Sequence, residues 1–251
     1  APRAGRQRDA SVGSGRIAGG ILARDGATGD AHAFTVALAE SCAAAGIRFR
    51  TGVDVARLNT KGARVTGVET SDGVFAADAV VVALGQASRA VAATAGVRLP
   101  LVPVKGYSVS FPAPADGSLP SLGILDEDAK VVTSRLGDTF RAAGTAEFGD
   151  GGTRVELRRA ATLLAGLHGL YPAASLPNVA AASPWAGVRA MTPDGPPLLG
   201  PVPRIAGLYL NTGHGPLGWT LAAGAARMVA DWAGGRDLAI DSAGLTLARF
   251  A

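Results

Sequence analysis

The residues of this chain that could do chemistry lie near its carboxyl end, in two neighbouring stretches. The first reads PWAGVRAMTPDGPPLLGP over residues 184–201, and the second reads GLYLNTGHGPLGWT over residues 207–220. Arg189 lies on a predicted strand, and a guanidinium suits a carboxylate because its paired N–H groups match the two oxygens. Taken alone, Arg189 is better explained by an ion pair with a nearby acid such as Asp194.

The second stretch places a glycine-rich loop between a short apolar strand and an apolar helix. Helix N-termini carry free N–H donors and partial positive charge, so they bind groups that become anionic. The N1/C2=O side of a reduced flavin is such a group. The alternative is a plain strand-to-helix turn, which rarely needs Gly213, Gly215 and Gly218 together.

The composition is that of a globular chain and excludes several other classes. Hydrophobic residues make up 48% of the 251 residues and charged residues 18%, which is far from the disordered regime. The longest apolar run, at 79–84, is too short for the roughly 18 residues of a membrane span. The pI is about 9.7, but the arginines are scattered, without the basic face of a nucleic-acid-binding module. We expect a cytoplasmic protein with no nucleic-acid partner.

Cysteine and histidine are too few for a disulfide framework or a metal site. Cys42 is the single cysteine, and the three histidines are far apart in the sequence. No metal ligand is therefore predicted.

The pattern along the chain predicts a mixed α/β (α+β) fold with a strongly antiparallel middle between about 99 and 148. Asp30 is the predicted N-cap of a helix that Gly46 ends, with Cys42 on its buried face. Residues 79–84 are continuously apolar, as in a strand buried on both faces. Further strands are predicted at 17–24, 47–53 and 185–190, and further helices at 153–170 and from Leu217 to Gly234.

Two features of the first 18 residues carry no function in this interpretation. Residues 1–16 are predicted to be a disordered basic lead-in. Residues 13–18 match the letters GxGxxA of a dinucleotide-binding loop, but no buried strand precedes them, so we interpret the match as accidental.

Together the motifs resemble the C-terminal part of the bacterial D-amino acid dehydrogenases, in the FAD-dependent D-amino acid oxidase/glycine oxidase superfamily. The departures within the motifs are Ala190, where the family usually has Pro, and Pro216. The resemblance covers residues 17–250 and lacks the N-terminal GxGxxG region. It rests on GG-x-L at 19–22 with TGD at 28–30, PVKGYS at 103–108, ILDE at 124–127, G-V-R-x-MTPDG at 187–195 and LYLNTGHGPLGWT at 208–220.

The resemblance implies FAD as cofactor and transfer of a hydride from Cα of a D-amino acid to flavin N5, followed by release of a 2-oxo acid and ammonia. It implies that Arg189 binds the substrate carboxylate, with Tyr107 a candidate second ligand or else a core residue. Lys105 is read as a surface lysine, and His214 as acting through its backbone or indirectly rather than as a base. The implied cofactor-binding residues are Val53, Gly85, Gly213, His214, Gly215, Leu217 and Gly218.

The resemblance also implies a domain division: an incomplete FAD-binding domain plus an antiparallel-sheet substrate domain. Residues 17–98 and 184–251 form the former, and 99–183 the latter. The alternative is a non-catalytic fragment or subunit that needs a partner chain with the FAD-binding N-terminal half. The family implies a possible peripheral association with the inner membrane and a quinone acceptor. The preferred D-amino acid, and the choice between dehydrogenase and oxidase, stay open.

Overall fold

The computed structural model describes residue 12 and residues 19–149 and 151–250. Apart from Val12, the predicted basic lead-in and the GxGxxA match lie outside the described residues. The chain divides into two units. Unit 1 comprises the described parts of Ala1–Ser41, Lys105–Glu147 and Gly152–Gly187, and unit 2 those of Cys42–Val104, Phe148–Gly151 and Val188–Ala251. Residues 19–41 thus group with the antiparallel sheet, whereas the predicted division placed them with 184–251.

Three of the four α-helices in the described residues begin and end largely where the sequence predicts, and the short helix Ser88–Ala93 was not predicted. The carboxylate of Asp30 accepts hydrogen bonds from the amides of His32 and Ala33, at 2.9 and 3.0 Å, which caps the first helix. Gly46 follows that helix with φ +91°, a conformation that glycine adopts without strain. The helices are α1 (Ala31–Ala44), α2 (Ser88–Ala93), α3 (Leu157–Leu170) and α4 (Gly218–Ala233), with 3₁₀ helices at Gly85–Ala87, Gly215–Leu217 and Leu247–Phe250.

The strands of the described residues form three sheets, and their mixture with helices confirms the predicted mixed α/β class. A meander joins β1 (Val55–Lys61), β2 (Arg64–Thr70) and β3 (Gly73–Ala76). A second sheet has the order β10 (Leu198–Pro201), β11 (Leu208–Thr212), β4 (Val80–Val82). The third has the order β6 (Ile124–Asp126), β7 (Val131–Leu136), β8 (Thr139–Phe148), β5 (Val102–Pro112), β9 (Ser183–Met191).

Unit 1 is built from the five-stranded sheet and α3. The strands β6, β7 and β8 pair antiparallel, as the sequence predicts for this region. Leu163 and Leu167 of α3 are buried in one cluster with Phe140 of β8. Phe140 also meets Tyr171 edge to face, with ring centroids 5.9 Å apart. The hydroxyl of Tyr171 is paired with that of Thr133 at 2.8 Å, so these two buried hydroxyls satisfy each other.

Unit 2 contains the meander, the β10-β11-β4 sheet, α2 and α4. Leu58, Val82, Leu101, Leu208 and Leu210 belong to its main core, and each is at most 2% exposed. A smaller cluster forms where α4 packs against β10 and β11. The core of unit 2 therefore contains side chains of both β4 and β11, which lie side by side in the sheet.

Four predictions about the elements are wrong in detail. No strand forms at 47–53 or within the described residues of 17–24, because no neighbouring strand pairs with these segments in the described part of the chain. The helix α1 has no buried residue, so Cys42 is only half-buried. Val81 of β4 is 44% exposed, so this strand is not covered on both faces by the described residues.

No helix among residues 19–149 and 151–250 combines the length and the apolar character that crossing a membrane requires.

Candidate flavin and substrate site

The strands β4 and β11 pair in parallel, with Val80 opposite Leu208 and Val82 opposite Leu210. Their carboxyl ends therefore lie at the same edge of the sheet. At that edge β4 leads through the 3₁₀ helix Gly85–Ala87 into α2, and β11 leads through Gly215–Leu217 into α4. Anionic groups and nucleotide cofactors bind outside the carboxyl ends of parallel strands, where helix N-termini present free N–H groups. We call this edge the strand-end site.

The two turns of the strand-end site are tied together. The hydroxyl of Thr212 donates to the carbonyl oxygen of Gly85 at 3.0 Å, although the two residues are 127 positions apart. Gly85 has φ +55°, and a Cβ there would meet nothing within 4 Å. The backbone conformation favours glycine at this position, and the space in front of it is open to a ligand.

Gly213 and Gly215 are explained by the fold itself. Both have positive φ, of +78° and +53°. A Cβ on Gly213 would lie 3.0 Å from Thr192 and 3.1 Å from Leu101, and one on Gly215 would lie 3.3 Å from Met191. These two glycines are needed for turn geometry and close packing, whatever lies in front of the loop.

Gly218 has no such explanation. It begins α4 with a helical φ of −54°, and a Cβ there would make ordinary van der Waals contact with His214 at 3.6 Å. A glycine whose backbone conformation alanine could adopt costs roughly 0.4–1 kcal/mol relative to alanine, because it makes the unfolded chain more flexible. The absence of a side chain at this helix N-terminus therefore indicates that space is needed here. A bound ring system would occupy that space.

Two buried acceptors at the strand-end site have no hydrogen-bond partner in the described residues. They are the side-chain oxygens of Gln86, in the turn after β4, and Asn211, near the end of β11. Buried polar atoms are normally paired, so these oxygens suit a ligand that brings N–H or O–H donors. The sequence analysis missed both residues, and the only available signal was their position beside the glycine turns.

Arg189 and His214 come from the two segments that the sequence singled out. Met191, at the end of β9, forms an antiparallel bridge with His214, which places the end of β9 beside the glycine-rich loop. Arg189 lies two positions before Met191 on the same strand and is half-buried. Burial lowers the pKa of the Arg189 guanidinium, which nevertheless stays charged at neutral pH. Burial also lowers the pKa of the His214 imidazole, so the ring is neutral at pH 7.

The carboxylate of Asp194, the acid considered as a local partner of Arg189, is held by Arg249. Two hydrogen bonds join them, from Nε at 2.7 Å and from Nη2 at 3.1 Å. This bidentate contact lowers the pKa of the Asp194 carboxyl. No local pattern indicated Arg249 as this partner, because it is 55 positions away from Asp194.

Tyr107 lies in the core of unit 1 and is 1% exposed. Its hydroxyl donates to Glu147 Oε2 at 2.7 Å. Burial and then this hydrogen bond raise the pKa of the Tyr107 hydroxyl, while the same bond is the largest of the effects that lower the pKa of the Glu147 carboxyl. The Tyr107 side chain thus packs in the core, which was the alternative stated from the sequence. A direct role of Tyr107 in substrate binding stays a prediction.

Lys105 is not the surface lysine that the sequence suggested. It is only 9% exposed, and its ammonium lies 3.5 Å from Glu147 Oε1 and donates to the carbonyl of Arg154 at 3.3 Å. Glu147 reaches both Lys105 and Tyr107 because Thr145, with φ +66°, interrupts the alternation of β8. The prediction that Lys105 lies on the surface was wrong, because the carboxylate that neutralises its charge, that of Glu147, comes from another strand.

The remaining predicted cofactor residues occupy different places. Leu217 is 53% exposed at the start of α4, at the strand-end site. Val53 precedes β1 outside any strand, next to Asp54, whose backbone is hydrogen-bonded to Ser71. A contact between Val53 and adenine stays a prediction.

Comparisons with known proteins identify the family of the chain. The sequence pattern of the family described as "FAD dependent oxidoreductase" matches residues 3–232. The D-amino acid dehydrogenase of Cereibacter sphaeroides is 46% identical over 236 residues, which cover 94% of this chain and 53% of that protein. The protein of the same name from Bradyrhizobium diazoefficiens is 43% identical, over 94% of this chain and 55% of its own length.

A solved structure shares the fold. The glycine oxidase from Geobacillus kaustophilus superimposes with a TM-score of 0.74 at 28% identity, over 84% of this chain and 56% of that one. The chain thus spans just over half the length of the relatives it matches. Since the family pattern extends over nearly the whole sequence, the chain belongs to the FAD dependent oxidoreductase family.

Proposed function

We propose that this chain forms the flavin-facing edge and the carboxylate-binding arginine of an FAD-dependent D-amino acid dehydrogenase. Such an enzyme converts a D-amino acid and an acceptor into a 2-oxo acid and ammonia. The observation that carries the proposal is the strand-end site, where parallel strands β4 and β11 each lead through a glycine turn into a helix and the turns are joined by Thr212 and Gly85. The names of the relatives supply the substrate class.

The residues of the strand-end site fit FAD in shape and in polarity. Gly85 leaves open space, a Cβ at Gly218 would meet only His214 at 3.6 Å, the N-terminus of α4 supplies N–H donors, and Gln86 and Asn211 supply acceptors. The chemistry that FAD supplies when bound is the acceptance of a hydride. The proposed contacts are those of Gly85, Gly213, His214, Gly215, Leu217 and Gly218, with Val53 near the adenine.

The role proposed for Arg189 is to bind and orient the substrate carboxylate. A half-buried guanidinium interacts with an anion more strongly than one in bulk water, because the local dielectric constant is lower. His214 is neutral, so it would neither repel the substrate ammonium nor add a second cation to the site. Tyr107 stays a proposed second ligand. Its hydroxyl donates to Glu147, so binding the substrate carboxylate would require the hydroxyl to turn from Glu147 to the substrate.

Unit 2 is proposed to bind the flavin and unit 1 to contribute to the substrate side. The chain spans 53% of the Cereibacter sphaeroides relative, so a complete catalyst would include the part that this chain does not match. That part would be joined to it or supplied as a separate chain. A quinone acceptor and a peripheral membrane association remain proposals that follow from the family resemblance alone.

The experiment combines the purified chain with a polypeptide that comprises the unmatched part of the Cereibacter sphaeroides relative. Visible absorption after addition of FAD reports bound flavin, and anaerobic D-alanine then tests its reduction. We expect a flavin band that D-alanine bleaches and L-alanine does not. Bound flavin that no D-amino acid bleaches would contradict the proposed reaction, and no bound flavin would contradict the proposed site.

Arg189→Lys in the same complex tests the carboxylate contact. Lysine keeps the charge but loses the paired N–H geometry, and a hydrogen bond to a charged group contributes about 1.5–3 kcal/mol. We expect kcat/KM for D-alanine to fall roughly 10- to 150-fold while flavin stays bound. Arg158→Gln, on the exposed surface of α3, is the control and leaves kcat/KM unchanged. An Arg189→Lys variant with normal kcat/KM would refute the role of Arg189.

A further inference from the structure

A groove of about 800 Å³ opens in unit 2 at the amino ends of β4 and β11, opposite the strand-end site. It lies between the turn that joins β1 to β2, the residues that precede β4, and the turn that joins β10 to β11. Val202 and Ile205 give it an apolar lining. Its polar side chains are Arg64, Asp78, Arg204 and Tyr209. We call it the amino-end groove.

The four polar side chains of the amino-end groove have no hydrogen-bond or ion-pair partner among the described residues. Within the described residues, neither the guanidinium of Arg64 nor that of Arg204 makes a hydrogen bond, an ion pair or a ring contact. The same holds for the carboxylate of Asp78 and the hydroxyl of Tyr209. Two free guanidiniums and one carboxylate leave the groove with a net positive charge, so it favours an anion.

One of these arginines, Arg204, has a strained backbone conformation. Arg204 has φ +67°, a left-handed conformation that costs a side-chain-bearing residue roughly 1–2 kcal/mol. Hydrogen bonds hold the turn in place: the amide of Ala206 donates to Ala63 at 2.8 Å, and that of Val65 donates to Ala206 at 3.0 Å. A glycine would suit this position better for stability. Strain of this kind is found where a side chain serves a function.

We propose that the amino-end groove binds a small amphipathic anion, a carboxylate or phosphate carried on an apolar body. Arg64 and Arg204 bind the anion through paired N–H groups. Val202, Ile205 and the ring of Tyr209 contact the apolar body. The volume lies within the 300–1,000 Å³ typical of small-molecule sites. This site is separate from the proposed flavin function, because it lies at the opposite ends of the same strands.

The test titrates the 251-residue chain with phenyl phosphate and, separately, with benzoate, and follows amide shifts by NMR. Benzyl alcohol, which is of similar size and uncharged, is the ligand control. We expect at least one of the two anions to bind at millimolar or lower concentration and to shift the amides of residues 63–65 and 202–209, and we expect no such shifts with benzyl alcohol. Comparison of the two anions distinguishes phosphate from carboxylate.

Three variants separate binding from folding. Arg204→Gly removes a guanidinium and relieves the strained φ, so it weakens anion binding at least fivefold while it raises the melting temperature. Arg64→Gln weakens binding at least fivefold. Asp78→Asn removes a repelling charge and tightens binding two- to threefold. The control Arg158→Gln removes one positive charge outside the groove and leaves the affinity unchanged.

Failure of both anions to bind overturns the proposal. So does equal binding of benzyl alcohol, or unchanged affinity in both arginine variants. An Arg158→Gln variant that loses as much affinity as Arg64→Gln also overturns it, since the attraction would then come from net charge alone.

Discussion

Gly218→Ala is expected to stabilise the folded chain and to weaken its interaction with FAD. The φ of Gly218 is −54°, and the new methyl group would lie 3.6 Å from His214 Cβ, so alanine fits without strain. Replacing a helical glycine by alanine contributes roughly 0.5–1 kcal/mol. For a chain of this size that corresponds to a rise of about 1–4 °C in melting temperature.

The second half of the prediction concerns the reconstituted complex. If the space at Gly218 holds the flavin ring, a methyl group there overpacks the contact at a cost of roughly 1–3 kcal/mol. The dissociation constant of FAD then rises roughly 5- to 150-fold. Gly224→Ala is the matched control in α4: its Cβ would meet nothing within 4 Å, so it stabilises the chain and leaves FAD binding unchanged.

Thermal unfolding by circular dichroism and titration of FAD by flavin fluorescence measure the two effects. The reasoning would be refuted by a Gly218→Ala variant that melts at a lower temperature, because the glycine would then serve the fold. It would equally be refuted by a stabilised variant that binds FAD with the affinity of the parent, because no ligand would then need the space.

Two further predictions test the local physics of unit 2. Gly213→Ala places an alanine at φ +78° with its methyl group 3.0 Å from Thr192, so we expect a loss of roughly 2–4 kcal/mol in unfolding free energy by urea denaturation. A loss below about 0.5 kcal/mol would contradict the packing argument. Asp231 is 1% exposed and accepts hydrogen bonds from Arg236 and Arg227, which lower the pKa of its carboxyl. Its contribution to stability is complete above about pH 4 and is lost as the pH falls towards the lower pKa of the folded state, so Asp231→Asn flattens the acid side of the melting-temperature profile. If the melting-temperature profile of Asp231→Asn kept the shape of the parent profile, the assigned contribution of Asp231 to stability would be contradicted.

Sequence alone predicted the features that depend on neighbours along the chain. The cap at Asp30, the end of α1 at Gly46 and the apolar face of α3 follow from interactions within a few residues, and the structure contains them. The motif at 208–220 likewise predicted a strand, a glycine turn and a helix in that order. These features are readable because turn geometry and helix periodicity belong to the local sequence.

The tertiary structure decided which distant groups meet. The parallel pairing of β4 with β11 brings Thr212 to Gly85, and the interruption of β8 at Thr145 lets Glu147 meet Lys105 and Tyr107. No local pattern carries this information, because charge pairing and burial depend on contacts between segments far apart in the chain. For the same reason the sequence could name the glycines of the loop, while only the packing around them separated Gly213 and Gly215, which the fold needs, from Gly218, which it does not.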